Sequence, residues 1–276
     1  MMTGSRAFFV ALLCSAYTCA FVIPTGARLG ALGAKSRGDS GPSMKKLQMV
    51  YGKVFVAGGS KGVGRAVIDK LVEQGSEVVA LVRREEVKAE LEAITGVTAV
   101  VCDALDLKGV EGALDGCDAA ITTLGGASRD GEEKRVDYVG NRNVIESAGI
   151  LGITRLVLVT SVGCGSSREA ISDEVYQNLE KALSAKTLAE NMLLKYYTNS
   201  EWTIIRPGGL KSEPETGSAV LTEDTKIAGV VSRADVADLT VQVLNSPKTV
   251  RKILTAMDPA ANSNYGSSQP IRVFEV

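Results

Sequence analysis

The chain has 276 residues, 45% of them apolar and 23% charged, with a formal charge of −1; this suits one globular domain with an extension. Residues 1–49 hold six Lys and Arg against the single acid Asp39, so +5, and the other 227 carry −6. An acidic body without a basic stripe argues against nucleic-acid binding, and the lack of any histidine excludes His-based triads, His-ligated zinc and an imidazole base.

At the N-terminus, Arg6 precedes an apolar run, Ala7 to Ala16, and Thr18 and Ala20 are small residues before a cut ahead of Phe21. Residues 1–20 therefore read as a signal peptide, too short to span a membrane. Residues 21–49 are rich in Gly, Ser, Ala and basic residues and carry no helical or strand period. Together the two parts resemble the bipartite plastid leader of algae with secondary plastids, which implies a plastid (chloroplast stroma) location. Ordinary secretion is the alternative. No membrane span is expected in the mature form. Cys102, Cys117 and Cys164 show no C-x-x-C spacing and read as buried free thiols in a reducing compartment.

The body, expected over 50–258, opens with KVFVAGGSKGVGRA, Lys53 to Ala66. A strand (54–57) runs into a glycine turn and then a helix (62–74). Gly58 permits the sharp turn, Gly62 lets backbone approach a diphosphate, and Gly64 lets helix pack on strand. Ser60, Lys61 and Val63 complete the turn, and free N–H groups at the helix start would face phosphates. GGSKG also fits a nucleophile elbow with Ser60 as nucleophile, but that needs a histidine. The phosphate loop of nucleotide triphosphatases ends in Gly-Lys-Ser/Thr, which Val63-Gly64-Arg65 does not.

A second strand (77–82) ends in Arg83-Arg84. An acid at this position accepts hydrogen bonds from the ribose of NAD, whereas arginine accommodates a 2′-phosphate. The pair therefore favours NADP, with Lys61 adding charge; solvated residues opening a charged helix are the other reading. A third strand (97–102) leads to Asp103 and Ala104, where Asp103 can hydrogen-bond an adenine amine, and Asp106 reads as a helix N-cap. The fourth strand (118–123) ends in Leu124-Gly125-Gly126, whose glycines allow close approach of a cofactor. A polar loop (127–134) and a helix through Val136, Val139 and Val144 follow. The fifth strand (155–160) ends at Ser161. A long helix (174–197), a sixth strand (202–205) ending in Arg206-Pro207-Gly208-Gly209, a helix (235–244) and a strand (252–256) complete the series. Residues 259–276 are turn-rich and expected to be loose. Alternating strands and helices predict an α/β fold, a doubly wound parallel sheet of the Rossmann type, in one domain with a short C-terminal substrate part.

These motifs, AGGSKGVGRA, VRR, CDALD, TTLGG, VTSVG and RPGG in order, resemble the short-chain dehydrogenase/reductase superfamily over about 53–256. RPGGL followed by SRADVA is similar to its atypical members: NmrA-like proteins, flavin/biliverdin reductase B-like enzymes and plastid NADP-binding relatives. The resemblance implies NADP(H) as cofactor, Ser161 in place of the catalytic serine, and Pro207 and Gly208 bordering the nicotinamide. It also implies Lys186 as the lysine of the Tyr-x-x-x-Lys pair, but Ala182 stands four residues before it and has no proton to give. Tyr176 is too far along the helix to substitute. Lys186 would then either bind ribose or pair with Glu190 at i+4. Two functions follow: an oxidoreductase acting on a small-molecule substrate, or a catalytically silent NADP(H)-binding protein that regulates or assembles a plastid complex with a protein partner. A sugar-nucleotide epimerase fits less well, because the C-terminal part is short for a nucleotide-sugar lobe. No metal site is expected.

Overall fold

In a computed structural model, residues 51–126, 136–262 and 271–276 are described. The leader, the polar loop expected over 127–134 and residues 263–270 of the expected tail lie outside them. The elements alternate as the sequence predicts: β1 (Lys53–Ala57), α1 (Gly62–Glu73), β2 (Glu77–Val82), α2 (Glu85–Glu92), β3 (Val97–Val101), α3 (Leu107–Leu114), β4 (Ala119–Thr122), α4 (Asn141–Leu151), β5 (Arg155–Val159), α5 (Asp173–Tyr196) and β6 (Glu201–Pro207). Three short strands follow, β7 (Gly209–Lys211), β8 (Val220–Thr222) and β9 (Val230–Ser232), then α6 (Arg233–Asn245) and β10 (Lys252–Met257).

The sheet runs β3-β2-β1-β4-β5-β6-β10-β8, parallel except for β8 at its edge. Strand order reverses between β1 and β4, the place where open sheets of this kind bind ligands beyond their carboxyl ends. The central strands are largely apolar because helices cover both faces. One core packs α1, α2 and α6 on the sheet, through Val67, Leu71, Val236 and Val243. The other packs α3, α4 and α5, through Val110, Val144, Ile145 and Leu193.

Three of the helix starts follow side-chain chemistry. Asp106 caps α3 by accepting from the Lys108 N–H at 3.1 Å, and Ser172 and Ser232 cap α5 and α6. A wide π-helical turn, Val136–Gly140, precedes α4. At its end the buried Asn141 accepts from the Thr122 hydroxyl (2.6 Å) and donates to the carbonyls of Asp137 (2.8 Å) and Leu124 (3.3 Å), pinning the end of β4.

Several expectations need correction. The sixth strand extends through Pro207, which is buried and pairs with Ala256 in β10 instead of standing in a loop. Strands β7, β8 and β9 have three residues each, too short to show a period, and β7 and β9 pair with each other in a separate small sheet. The end of the tail is not loose. The Phe274 N–H donates to the Leu221 carbonyl at 2.7 Å, and Phe274 packs on the core. No described helix is long and apolar enough to cross a membrane.

Candidate functional site

Past the carboxyl ends of β1, β2 and β4 lies a cleft of about 520 Å³, lined among others by Gly58, Ser60, Lys61, Gly62, Arg83 and Ala104 on one side. Leu124, Gly125, Ser212 and Arg233 close the other side. An adjoining hollow of about 500 Å³ shares Ser60, Lys61 and Arg83 and adds Arg84, Val87 and Asp103.

The glycine turn is built as its spacing predicts, with one division of labour. Gly58 (φ 90°) and Gly62 (φ 64°) have left-handed backbone and face the cleft, whereas a Cβ at Gly64 would stand 2.3 Å from the Gly58 carbonyl oxygen. Gly64 thus serves helix-on-strand packing. Val63 is buried in the core, so it can offer only its backbone. The first turn of α1 holds no acid and Lys61, in the capping position, makes no side-chain cap bond. The positive helix end is left open to an anion.

Lys61, Arg83, Arg84 and Arg233 converge on this space, and none has an ion-pair partner among the described residues. Arg233 is the residue that sequence reading missed. It opens α6 and reaches back, its Cδ 3.6 Å from where a Cβ on Gly62 would lie, while its guanidinium donates to the Leu210 carbonyl (3.2 Å) and the Ser212 hydroxyl (2.8 Å). Its distance in sequence from the glycine turn left no local pattern to read; only the SRADVA motif marked the region.

Asp103 lies at the hollow and accepts from the Leu105 N–H at 3.0 Å, and the Ala104 carbonyl accepts from Asn143 at 2.8 Å. Lys186 does not pair with Glu190. Its ammonium donates to the Leu124 carbonyl at 2.9 Å and stands 3.7 Å from buried Asp137, under Gly125. Glu190 is taken by Arg206, also buried, in a two-pronged pair of 2.7 and 3.0 Å, with the Thr160 hydroxyl donating at 2.6 Å. A fully desolvated partner outcompetes an i+4 neighbour, and this pair ties α5 to β5 and β6.

Ser161 and Gly208 line neither the cleft nor the hollow. They lie on a third pocket of about 390 Å³, with Val162, Ala170, Ile171 and Leu179. Pro207 lines none of the three, and Gly208 has its own reason to be glycine: a Cβ there would sit 2.1 Å from the Gly229 carbonyl oxygen. The described cysteines are free; Cys117 and Cys164 are buried and Cys102 half-buried. Burial pushes the Cys117 thiol to about 11 and the Cys164 thiol to about 12. Neither is a thiolate nucleophile at neutral pH. No cluster of metal-binding side chains occurs among the described residues.

A reversing parallel sheet, a glycine turn at its switch point and a cationic cleft define a nucleotide-binding Rossmann protein. Residues 58–247 match the NAD(P)H-binding family, and the chain belongs to it. An uncharacterized sugar epimerase of Bacillus subtilis (strain 168) is 34% identical over 206 residues, 71% of this chain and 90% of the relative. An uncharacterized chloroplastic protein of Arabidopsis thaliana is 30% identical over 212 residues, 73% of this chain and 75% of the relative. Among solved structures, an anaerobillin reductase from Escherichia coli O157:H7 superposes with a TM-score of 0.68 at 32% identity, covering 75% of this chain and 97% of that one.

Proposed function

We propose that the protein is an NADP(H)-dependent reductase of a small carbonyl-type substrate, working in a plastid. The observation that carries the cofactor choice is the cationic set on the cleft, with Arg83 and Arg84 at the end of β2, the position where an acid would serve NAD. In this reading Gly58, Ser60, Lys61, Gly62 and the first amides of α1, those of Val63 and Gly64 included, hold the diphosphate, and Arg233 closes over it. Arg83 and Arg84 hold the 2′-phosphate. Asp103 and Ala104 border the adenine, and Leu124 and Gly125 border the nicotinamide half. Lys186, fixed by the Leu124 carbonyl, faces the nicotinamide ribose. Ser161 and Gly208 face the substrate.

The reduced nicotinamide, when bound, supplies a hydride. With Ala182 where the family's tyrosine would stand, the accompanying proton comes from solvent. Ala182 also favours a second reading, a silent NADP(H)-binding protein that regulates or assembles a plastid complex. The leader and the chloroplastic relative support the location.

The test is a titration of the full-length chain with NADPH and NADH, followed by a turnover screen with carbonyl compounds. NADPH is expected to bind at least about tenfold more tightly, as a charge-assisted phosphate contact allows. Arg83→Asp with Arg84→Ser should weaken NADPH far more than NADH. Equal losses would defeat the NADP assignment, and tight binding without any turnover would favour the silent reading.

A further inference from the structure

Beside the cofactor cleft, the 390 Å³ pocket falls in the size range of small-ligand sites, about 300–1,000 Å³. It lies past β5 and β6, where Ser161 and Gly208 end their strands. Its wall is apolar: Val162, Ala170, Ile171, Val175, Leu179 and Ala228. No charged side chain lines it among the described residues. Arg168, the nearest cation in sequence, donates to the Ile171 carbonyl at 3.3 Å, but its charge is already met: it is stacked on Tyr176 at 3.9 Å and paired with Asp173.

Two of the apolar side chains are left open to water. Val175 and Leu179, one turn apart on α5, are 44% and 47% exposed. A capped, well-formed helix that turns two branched aliphatic residues to solvent at a pocket mouth leaves apolar area for a ligand to cover. The polar groups are hydroxyls. Ser161 bonds the Val162 carbonyl at 3.0 Å, and Ser172 accepts from the Val175 N–H at 3.3 Å, which leaves its proton for a ligand oxygen.

We infer that the substrate is an uncharged, largely apolar carbonyl compound, ring-sized, seated against Val175, Leu179 and Ala228 with its oxygen toward the Ser172 hydroxyl. An anionic substrate such as a nucleotide sugar would bring charge into a wall that has no cation to meet it. Reduction there adds the hydride to the carbonyl carbon and a solvent proton to its oxygen, leaving an alcohol and oxidised cofactor. The inference rests on the proposed NADP(H) reading.

The experiment measures binding, so that it does not depend on turnover. Full-length protein saturated with NADP⁺ is titrated with 2-acetylnaphthalene and with its charged analogue 6-acetyl-2-naphthoate, in the wild type and in Leu179→Glu. The neutral ketone should bind at least about tenfold more tightly than the carboxylate, and Leu179→Glu should weaken the ketone by a similar factor. NADPH affinity should not change in the variant, whose altered side chain is at the surface. Preference for the carboxylate, no binding of the ketone, or indifference to Leu179→Glu would each overturn the inference while leaving the cofactor reading intact. A wild-type chain that binds no NADPH would overturn both, and the separate NADPH titration reveals it.

Discussion

Arg233 and Arg83 reach one cleft from distant parts of the chain, and the proposed reading gives them different phosphates. Arg83 ends β2, on the hollow shared with Arg84, whereas Arg233 lies over Gly62. Arg233→Gln should therefore weaken NADPH and NADH alike, by about tenfold for one charge-assisted contact. It should not alter the affinity for 2′-AMP, which has no diphosphate, measured by calorimetry. A loss confined to NADPH would move Arg233 to the 2′-phosphate. At this scale the sequence was legible where function is local. That Gly58, Gly62 and the Arg83-Arg84 pair gather at one cleft could be read from local spacing. The alternative of a Lys186–Glu190 pair fails because Glu190 is claimed by Arg206, and nothing within one helix reveals a partner on a distant strand.

Elements explain how the far wall of the cleft is held. Ser232 caps α6 by accepting from the Asp235 N–H, and Asp235 in turn accepts from the N–H groups of Thr216 and Gly217, both at 2.9 Å. The segment that carries Ser212 is thus fastened to the helix that carries Arg233. Burial alone would raise the Asp235 carboxyl, but the hydrogen bonds from Ser232, Gly217 and Thr216 outweigh it and hold the group below its usual value. A depressed carboxylate stabilises fully above its unfolded value and loses that contribution as pH falls through its folded one. Amide protection at Thr216 and Gly217 should accordingly fall below about pH 4, the ordinary carboxylate range, while the β1–β2 pair keeps its own. Asp235→Asn should show the reduced protection already at neutral pH. Unaltered protection in the variant would remove Asp235 as the fastener. The long elements were foreseeable, since periodicity needs several turns or several alternations to appear. Strands β7 to β9 and the π-helical turn before α4 were not, because they are set by contacts with other segments.

The whole molecule divides its labour along the sheet edge. The residues lining the cleft come mostly from the first half of the chain, around β1, β2 and β4, and the apolar pocket comes from β5, β6 and the start of α5. The fold class and this division could be read from strand–helix alternation and ordered motifs. The closing of the cleft by α6 could not, since it depends on how β7 and β9 return the chain across the sheet end. Gly208 marks that crossing, where backbone meets the Gly229 backbone. Arg155 holds the opposite end of the same helix. Buried at the start of β5, it donates to the Leu244 carbonyl at 2.9 Å and to the Val243 carbonyl, compensating the negative end of α6.

Cys164 gives this architecture a built-in clock. Its sulfur lies beneath α5, 3.7 Å from the Leu183 carbonyl, wholly shielded and held as the thiol. A thiol reagent in solution can reach it only when the loop over 161–172 or α5 opens locally and uncovers it. The rate at which Cys164 is labelled in the native protein therefore counts those openings, and cofactor that binds only the closed form should slow it.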